Sequence, residues 1–193
     1  MILGITGGTG CGKTTLLKLI AEQGGLILDC DAIYHELLAT DNNLLDAIEA
    51  RFPGTVENGT VQRKKLGALV FSDSGALLDL NRITHSAVKR EVLRRLEPKP
   101  KLAAIDAIAL FEGTLAELCD VTVAVTAPEE VRVKRLMARD GISEAYARSR
   151  IAAQHSEEWF RQRCRFTLDN SGTEKQFHDK CLAFLRQLSI IEA

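Results

Sequence analysis

Apolar residues along this chain fall into short dense runs, and between the runs they recur at helical spacing. Ile2–Thr6 is mostly apolar and predicts a strand, after which Leu16, Leu17, Leu19 and Ile20 predict a helix over Thr14–Glu22. Gly24-Gly25 stops that helix. The same alternation continues with a short strand at Leu26–Leu28 and a helix over Ala32–Ala39. It resumes with strands at Leu102–Ile105 and Val121–Thr126, the second rich in β-branched residues. Ala127–Arg139 predicts a helix stopped by Asp140-Gly141, and a second helix runs from about Ser143 to Gln154. Phe166–Leu168 is the last strand. The closing helix, Thr173–Leu188, places Phe177, Cys181, Phe184, Leu185 and Leu188 on one side. Strands alternating with helices predict an α/β domain with a parallel sheet of five strands.

Between Thr40 and Pro100 that rhythm stops. Asn42–Phe52, Val61–Phe71 and Ser74–Leu96 read as helices, the last with a break near Thr84. Pro53-Gly54 and Glu57-Asn58-Gly59 read as turns, and Thr114–Leu118 as a short helix. The expected organisation is therefore one nucleotide-binding core, residues 1–39 and 101–193, with a helical lid at about 139–160. Residues 40–100 form a helical insertion on the substrate side.

The densest chemical signal is Gly7–Thr15, GGTGCGKTT, which contains Gly-x-x-x-x-Gly-Lys-Thr between a strand and a helix. Glycines let successive backbone N–H groups surround phosphate oxygens at a helix N-terminus. Lys13 adds a mobile positive charge for the β- and γ-phosphates, and the Thr14 hydroxyl is a hard ligand suited to Mg²⁺. Cys11 lies inside the loop, where its backbone is the relevant part. This motif predicts a P-loop NTPase-type, three-layer α/β/α fold that binds a nucleotide.

Acidic residues follow at strand ends, where ligands gather in open parallel sheets. Asp29 and Asp31 flank Cys30 just beyond the second strand. Either can face a hydroxyl substrate and accept its proton, or begin the next helix as its cap. Asp106 ends the third strand in the form of a Mg²⁺-organising acid, and equally in the form of a turn residue. Glu112 reads as a substrate-side acid or a surface carboxylate. Arg82, His85, Lys89, Arg90, Arg94 and Arg95 form a basic run, and such runs are more often a solvated face than a site. Arg132, Lys134, Arg135, Arg139, Arg148 and Arg150 crowd the lid region; guanidinium groups there can pair with phosphate, and Arg139 is the favoured one.

Composition narrows the field. Hydrophobic residues make up 46% of the 193 and charged residues 26%, with a net charge of −1. That balance gives no bulk attraction to nucleic acid or to an anionic membrane, and no apolar run reaches the length of a membrane span. Cys11, Cys30, Cys119, Cys164 and Cys181 are odd in number and widely spaced, which excludes a Cys-x-x-Cys zinc site or a disulfide framework. With a strand starting at Ile2, no leader is expected. The expectation is a cytoplasmic protein, monomeric or a weak homo-oligomer.

Taken in order, the P-loop, Asp29-x-Asp31, His85, Leu110-Phe111-Glu112, Arg135-Leu136-Met137-Ala138-Arg139-Asp140 and Asp169-Asn170-Ser171-Gly172 resemble the dephospho-CoA kinase family over essentially the whole chain. The resemblance implies ATP- and Mg²⁺-dependent phosphorylation of the ribose 3′-hydroxyl of dephospho-coenzyme A. It implies that Gly10, Cys11, Gly12, Lys13, Thr14 and Thr15 bind ATP, that Asp31 is the base, and that Asp29 organises metal and substrate. It places His85 near the substrate and makes Arg139 the lid arginine. Two departures stand on the acceptor side: Ser86 where the family has Pro, and Asp106-Ala107-Ile108-Ala109-Leu110-Phe111-Glu112 without the family's Pro. They keep two other readings open, a kinase of another nucleoside or small metabolite and a non-catalytic nucleotide switch.

Overall fold

The structure is a computed structural model and describes residues 1–192. The chain divides into two compact units. The first comprises Met1–Leu28, Pro100–Leu110 and the chain from Ala116 onward; the second comprises Asp29–Lys99 and Phe111–Leu115.

The first unit holds a five-stranded sheet in the order β2-β5-β1-β6-β7. Its strands are β1 (Ile2–Thr6), β2 (Leu26–Asp29), β5 (Ala103–Asp106), β6 (Val121–Thr126) and β7 (Phe166–Asp169). The pairings of β1 with β5 and β6, and of β6 with β7, are parallel. Helices flank the parallel sheet, giving a three-layer α/β architecture. Helices α1 (Lys13–Glu22) and α9 (Glu174–Gln187) bury Leu16, Ile20, Phe177 and Phe184 against Leu3, Ile5, Val123 and Val125. The α9 boundary is set by a capping box, in which Thr173 and Gln176 satisfy each other's backbone N–H groups. Helices α6 (Glu129–Asp140) and α7 (Glu144–Ala152) pack through Val133, Leu136, Ala147 and Ile151. A further short helix, α8 (Glu157–Arg163), was not expected from the sequence. Ser156 caps it, but with only Trp159 and Phe160 as apolar residues it carries no periodicity to read.

The second unit contains α2 (Cys30–Thr40), α3 (Asn42–Arg51), α4 (Arg63–Ser72) and α5 (Ser74–Leu96). Asp41 and Asp73 cap α3 and α5. The expected break near Thr84 is absent: α5 is continuous, with the buried Thr84 hydroxyl donating to the carbonyls of Leu80 and Asn81 at 3.0 and 3.2 Å. Bonding back to the preceding turn satisfies the hydroxyl inside the helix. The turn at Asn58-Gly59 joins a small hairpin, β3 (Val56–Glu57) and β4 (Thr60–Val61), so α4 begins later than the apolar run suggests. Both turn residues have positive φ, 49° and 71°, as a tight primed turn requires. Much of the basic run on α5 is structural. Arg95 pairs with Glu36 of α2, Arg90 with Asp41, and Arg94 with Glu91, each at 2.7 Å. Among the described residues, no helix is long and apolar enough to cross a membrane.

Candidate active site

The first unit builds an anion cradle from main chain. β1 delivers the loop Gly7–Gly12, and α1 starts at Lys13 with no side chain capping its N-terminus. That leaves the first-turn N–H groups, with the positive end of the helix dipole, directed at the loop. Two glycines are enforced by space as well as by φ. A Cβ on Gly7, at φ 132°, would lie 2.1 Å from the Val125 carbonyl oxygen; one on Gly12, at φ 90°, would lie 2.3 Å from Asn170 Nδ2. Lys13 Nζ donates to the Gly7 carbonyl at 3.2 Å and lies 3.7 Å from Asp106 Oδ1. Strand register explains the second contact, because Asp106 sits opposite Ile5 at the same end of the sheet. Thr14 presents an exposed hydroxyl in the first turn of α1. Gly10, Cys11, Gly12, Lys13, Thr14, Thr15 and Asp106 therefore come together in one unit. Burial pushes the Cys11 thiol up from its ordinary value, partly opposed by Arg132 and Lys13. A neutral buried thiol leaves the Cys11 backbone as its working part.

Four residues hold this loop, three of which the sequence shows within charged or family-like stretches without revealing this role. Arg132, only 6% exposed, donates from Nε to the Thr9 carbonyl at 2.8 Å and from its Nη2 to Gln154 Oε1 at 3.1 Å. Gln154 Oε1 also accepts from the Thr9 N–H at 2.8 Å. Asn170 Nδ2 donates to the Cys11 carbonyl at 2.8 Å, and Arg135 reaches the carbonyls of Gly10, Cys11 and Asn170 at 3.2 to 3.4 Å. The available signal was the i, i+3 spacing of Arg132 and Arg135 on one face of α6, together with Asn170 in the last turn motif. Arg139 is elsewhere: it lies at the C-terminal end of α6, its side chain exposed, donating to both oxygens of Asp140 at 2.7 and 3.0 Å. Beside the loop, Gly12, Thr15, Lys18, Arg135, Asn170 and Phe177 help line an open groove of about 590 Å³.

The second unit gathers the acceptor-side candidates. Asp29 is the cap of α2: its Oδ1 accepts from the N–H groups of Asp31 and Ala32, both at 3.0 Å. The Asp31 side chain is exposed in the first turn and does not cap. This divides the two roles that the sequence left open for either residue. His85 and Glu112 line one cavity of about 360 Å³ between α5 and the segment Glu112–Thr114. Burial lowers the His85 pKa from 6.5, partly opposed by a hydrogen bond to the Glu112 backbone and by the Glu112 charge.

Among the described residues, no cluster of three or more His, Cys, Asp or Glu side chains could cage a metal. Mg²⁺ does not need one, since it binds through one or two protein oxygens together with phosphates and water. The Thr14 hydroxyl and the Asp106 carboxylate are oxygen donors of the right hardness on the P-loop unit.

A family model described as CoaE, dephospho-CoA kinase, matches residues 1–176. The dephospho-CoA kinase of Deinococcus radiodurans is 38% identical, over 97% of this chain and 92% of that one. A Thermus thermophilus protein of known crystal structure is 34% identical, covers 97% of both chains and superposes with a TM-score of 0.80. The dephospho-CoA kinase of Campylobacter jejuni, 24% identical, shares the fold with a TM-score of 0.69 over 97% of this chain and 96% of its own.

Proposed function

The chain belongs to the dephospho-CoA kinase family, and on that premise we propose how its residues divide the reaction. The activity is ATP-dependent transfer of a phosphoryl group to the ribose 3′-hydroxyl of dephospho-coenzyme A, giving coenzyme A and ADP. Our reading assigns the donor to the loop Gly7–Thr15. The backbone of Gly10, Cys11, Gly12, Thr14 and Thr15 holds the phosphates, the Cys11 and Thr15 N–H groups sharing or giving up their 3.2 and 3.3 Å bonds to the Gly8 and Gly12 carbonyls, and Lys13 takes up charge on the transferring group. Mg²⁺, held by Thr14 and oriented through Asp106, would supply further charge neutralisation on the phosphates. The adenosine of ATP takes the neighbouring groove, where Arg135 and Asn170 join the loop to its wall.

Asp31 acts as the base for the acceptor hydroxyl. The observation that carries this assignment is the division of labour within the acidic pair, because Asp29 is spent on capping α2 while the Asp31 carboxylate stands exposed. Asp29 thereby positions Asp31. His85 and Glu112 belong to acceptor binding. Arg139 serves phosphate in this scheme by exchanging Asp140 for the anion, a cost that Arg132 and Arg135 do not meet. The protein works in the cytoplasm, in keeping with five cysteines none of which is in a disulfide, and as a monomer or weak homo-oligomer.

The test is ADP release, measured with purified protein, ATP and Mg²⁺, with and without dephospho-coenzyme A. Acceptor-dependent release, with coenzyme A as product, is the expected result. Release that ignores the acceptor would favour a nucleotide switch, and release only with other acceptors would favour another kinase.

A further inference from the structure

We propose that Arg132 is a standing counter-charge for the nucleotide phosphates, a positioning residue that acts on them through the loop rather than by touching them. The proposal rests on the donor reading above and adds a buried cation to the one that Lys13 supplies.

Arg132 is 6% exposed and, among the described residues, is the one buried side chain that carries a charge. Its guanidinium lies against the loop. Nε donates to the Thr9 carbonyl at 2.8 Å, Nη2 donates to Gln154 Oε1 at 3.1 Å, and a Cβ on Gly8 would collide with Nη2. Both acceptors are neutral, and among the described residues no carboxylate forms an ion pair with it. Glu157 lines the same small recess but is held by Arg161, from Nε at 2.9 Å and from Nη2 at 2.5 Å. More exposed arginines are treated differently. Arg90, Arg95, Arg139, Arg148 and Arg161 each have a carboxylate at 2.9 Å or less. Arg135 also bonds only neutral oxygens of the loop and of Asn170, but it lines the open groove and can meet a nucleotide directly.

A guanidinium cannot shed its proton to escape burial. A buried charge is costly unless it is paired, and neutral carbonyls offset only part of that cost. An anion in the loop supplies the missing charge. Little more than the loop's main chain would separate the two, and a unit charge is felt strongly where water is excluded. The guanidinium already acts on the loop, since its charge opposes the effect of burial on the Cys11 thiol. Gln154 fits this role. One neutral oxygen accepts from Arg132 and from the Thr9 N–H, so the guanidinium is locked in place without being cancelled. The field is therefore in position before ATP arrives and costs no reorganisation.

Two variants separate charge from mere support. Arg132→Lys keeps the charge and loses the paired bonds, whereas Gln154→Glu keeps an oxygen for both donors and cancels the charge. Binding of ATP, ADP and AMP is measured by calorimetry at neutral pH, with Arg132→Met as the reference. Arg132→Met is expected to weaken ATP by about ten- to a hundredfold, ADP by less and AMP least. Gln154→Glu should reproduce that order, and Arg132→Lys should recover most of the loss. In turnover, KM for ATP should rise in Arg132→Met and Gln154→Glu with kcat little changed, because the charge acts on bound ATP before and during transfer alike. Arg132→Lys as weak as Arg132→Met, or equal losses for all three nucleotides, would make Arg132 a strut and overturn the proposal. Gln154→Glu is isosteric and decides the matter even if Arg132→Met melts too low to assay: undiminished ATP affinity in it would also overturn the proposal. An unaltered protein that binds ATP no more tightly than AMP would instead remove the donor reading itself, and the counter-charge with it.

Discussion

On the proposed reading, the two units recognise their ligands by different means. In the first, the working surface is main chain, and its carbonyls are already committed: Lys13 holds that of Gly7, Arg132 that of Thr9, Arg135 that of Gly10, and Asn170 that of Cys11. In the second, the candidates are side chains on helix faces and on one short segment, with Asp31 and Glu112 exposed. Recognition by main chain demands glycine at fixed places and tolerates little. Recognition by side chains on stable helices can be altered one residue at a time. Of the two departures from the family pattern, Ser86 falls in the second unit, where the candidates are side chains, whereas the missing Pro, at Ile108, falls in the first unit just beyond β5.

The contrast can be broken most severely at the acceptor hydroxyl. Asp31→Asn is expected to lower kcat by about 10²–10⁴-fold while calorimetry still shows ATP binding. A near-normal rate would reassign the base to Asp29, which Asn could replace as a cap. On the donor side, Lys13→Ala should reduce kcat by about 10²–10³-fold, the scale of losing one preorganised electrostatic group. Turnover that survives it intact would misplace the phosphates.

Asn170→Ala asks whether the loop needs its ties. The side chain is 4% exposed and bonds both the Cys11 carbonyl and Arg135. Its loss should raise KM for ATP about tenfold and cost about 1–3 kcal/mol of stability in denaturant unfolding, because the Cys11 carbonyl keeps only its longer bond from Arg135, at 3.4 Å, and Arg135 loses the Asn170 Oδ1 acceptor. An unchanged KM for ATP would show that the cradle holds itself.

The smallest effect belongs to the second unit. Glu112→Gln should lower the His85 pKa further, since the Glu112 charge now opposes the effect of burial. The folded value is already depressed below 6.5, so between the two values the unfolded chain binds more protons and stability rises with pH. That window should widen in the variant, its upper edge staying near 6.5. An NMR titration of the imidazole measures it, and an unchanged pKa would mean that the Glu112 charge does not act on His85.

Much of this protein is legible in its sequence because the signals are local. The P-loop needs glycines and Lys13 at set spacing, β6 is a β-branched run, and Thr173 with Gln176 carries its capping box within four residues. The Asn58-Gly59 turn was equally visible, though not the two-residue strands it joins, whose pairing depends on each other. The short α8 escaped for want of periodicity.

What the sequence determined by itself was the alternating fold, the cradle and the acidic pair, each written in neighbouring residues. Only the tertiary structure decided that Asp29 caps while Asp31 does not, that Arg132 and Arg135 rather than Arg139 are bound to the loop, and that Asn170 meets Cys11 across 159 positions. The reason is physical. A motif reports which groups are present, but what a buried guanidinium or amide does is set by which unpaired carbonyl lies within about 3 Å of it, and chain folding alone brings that carbonyl there.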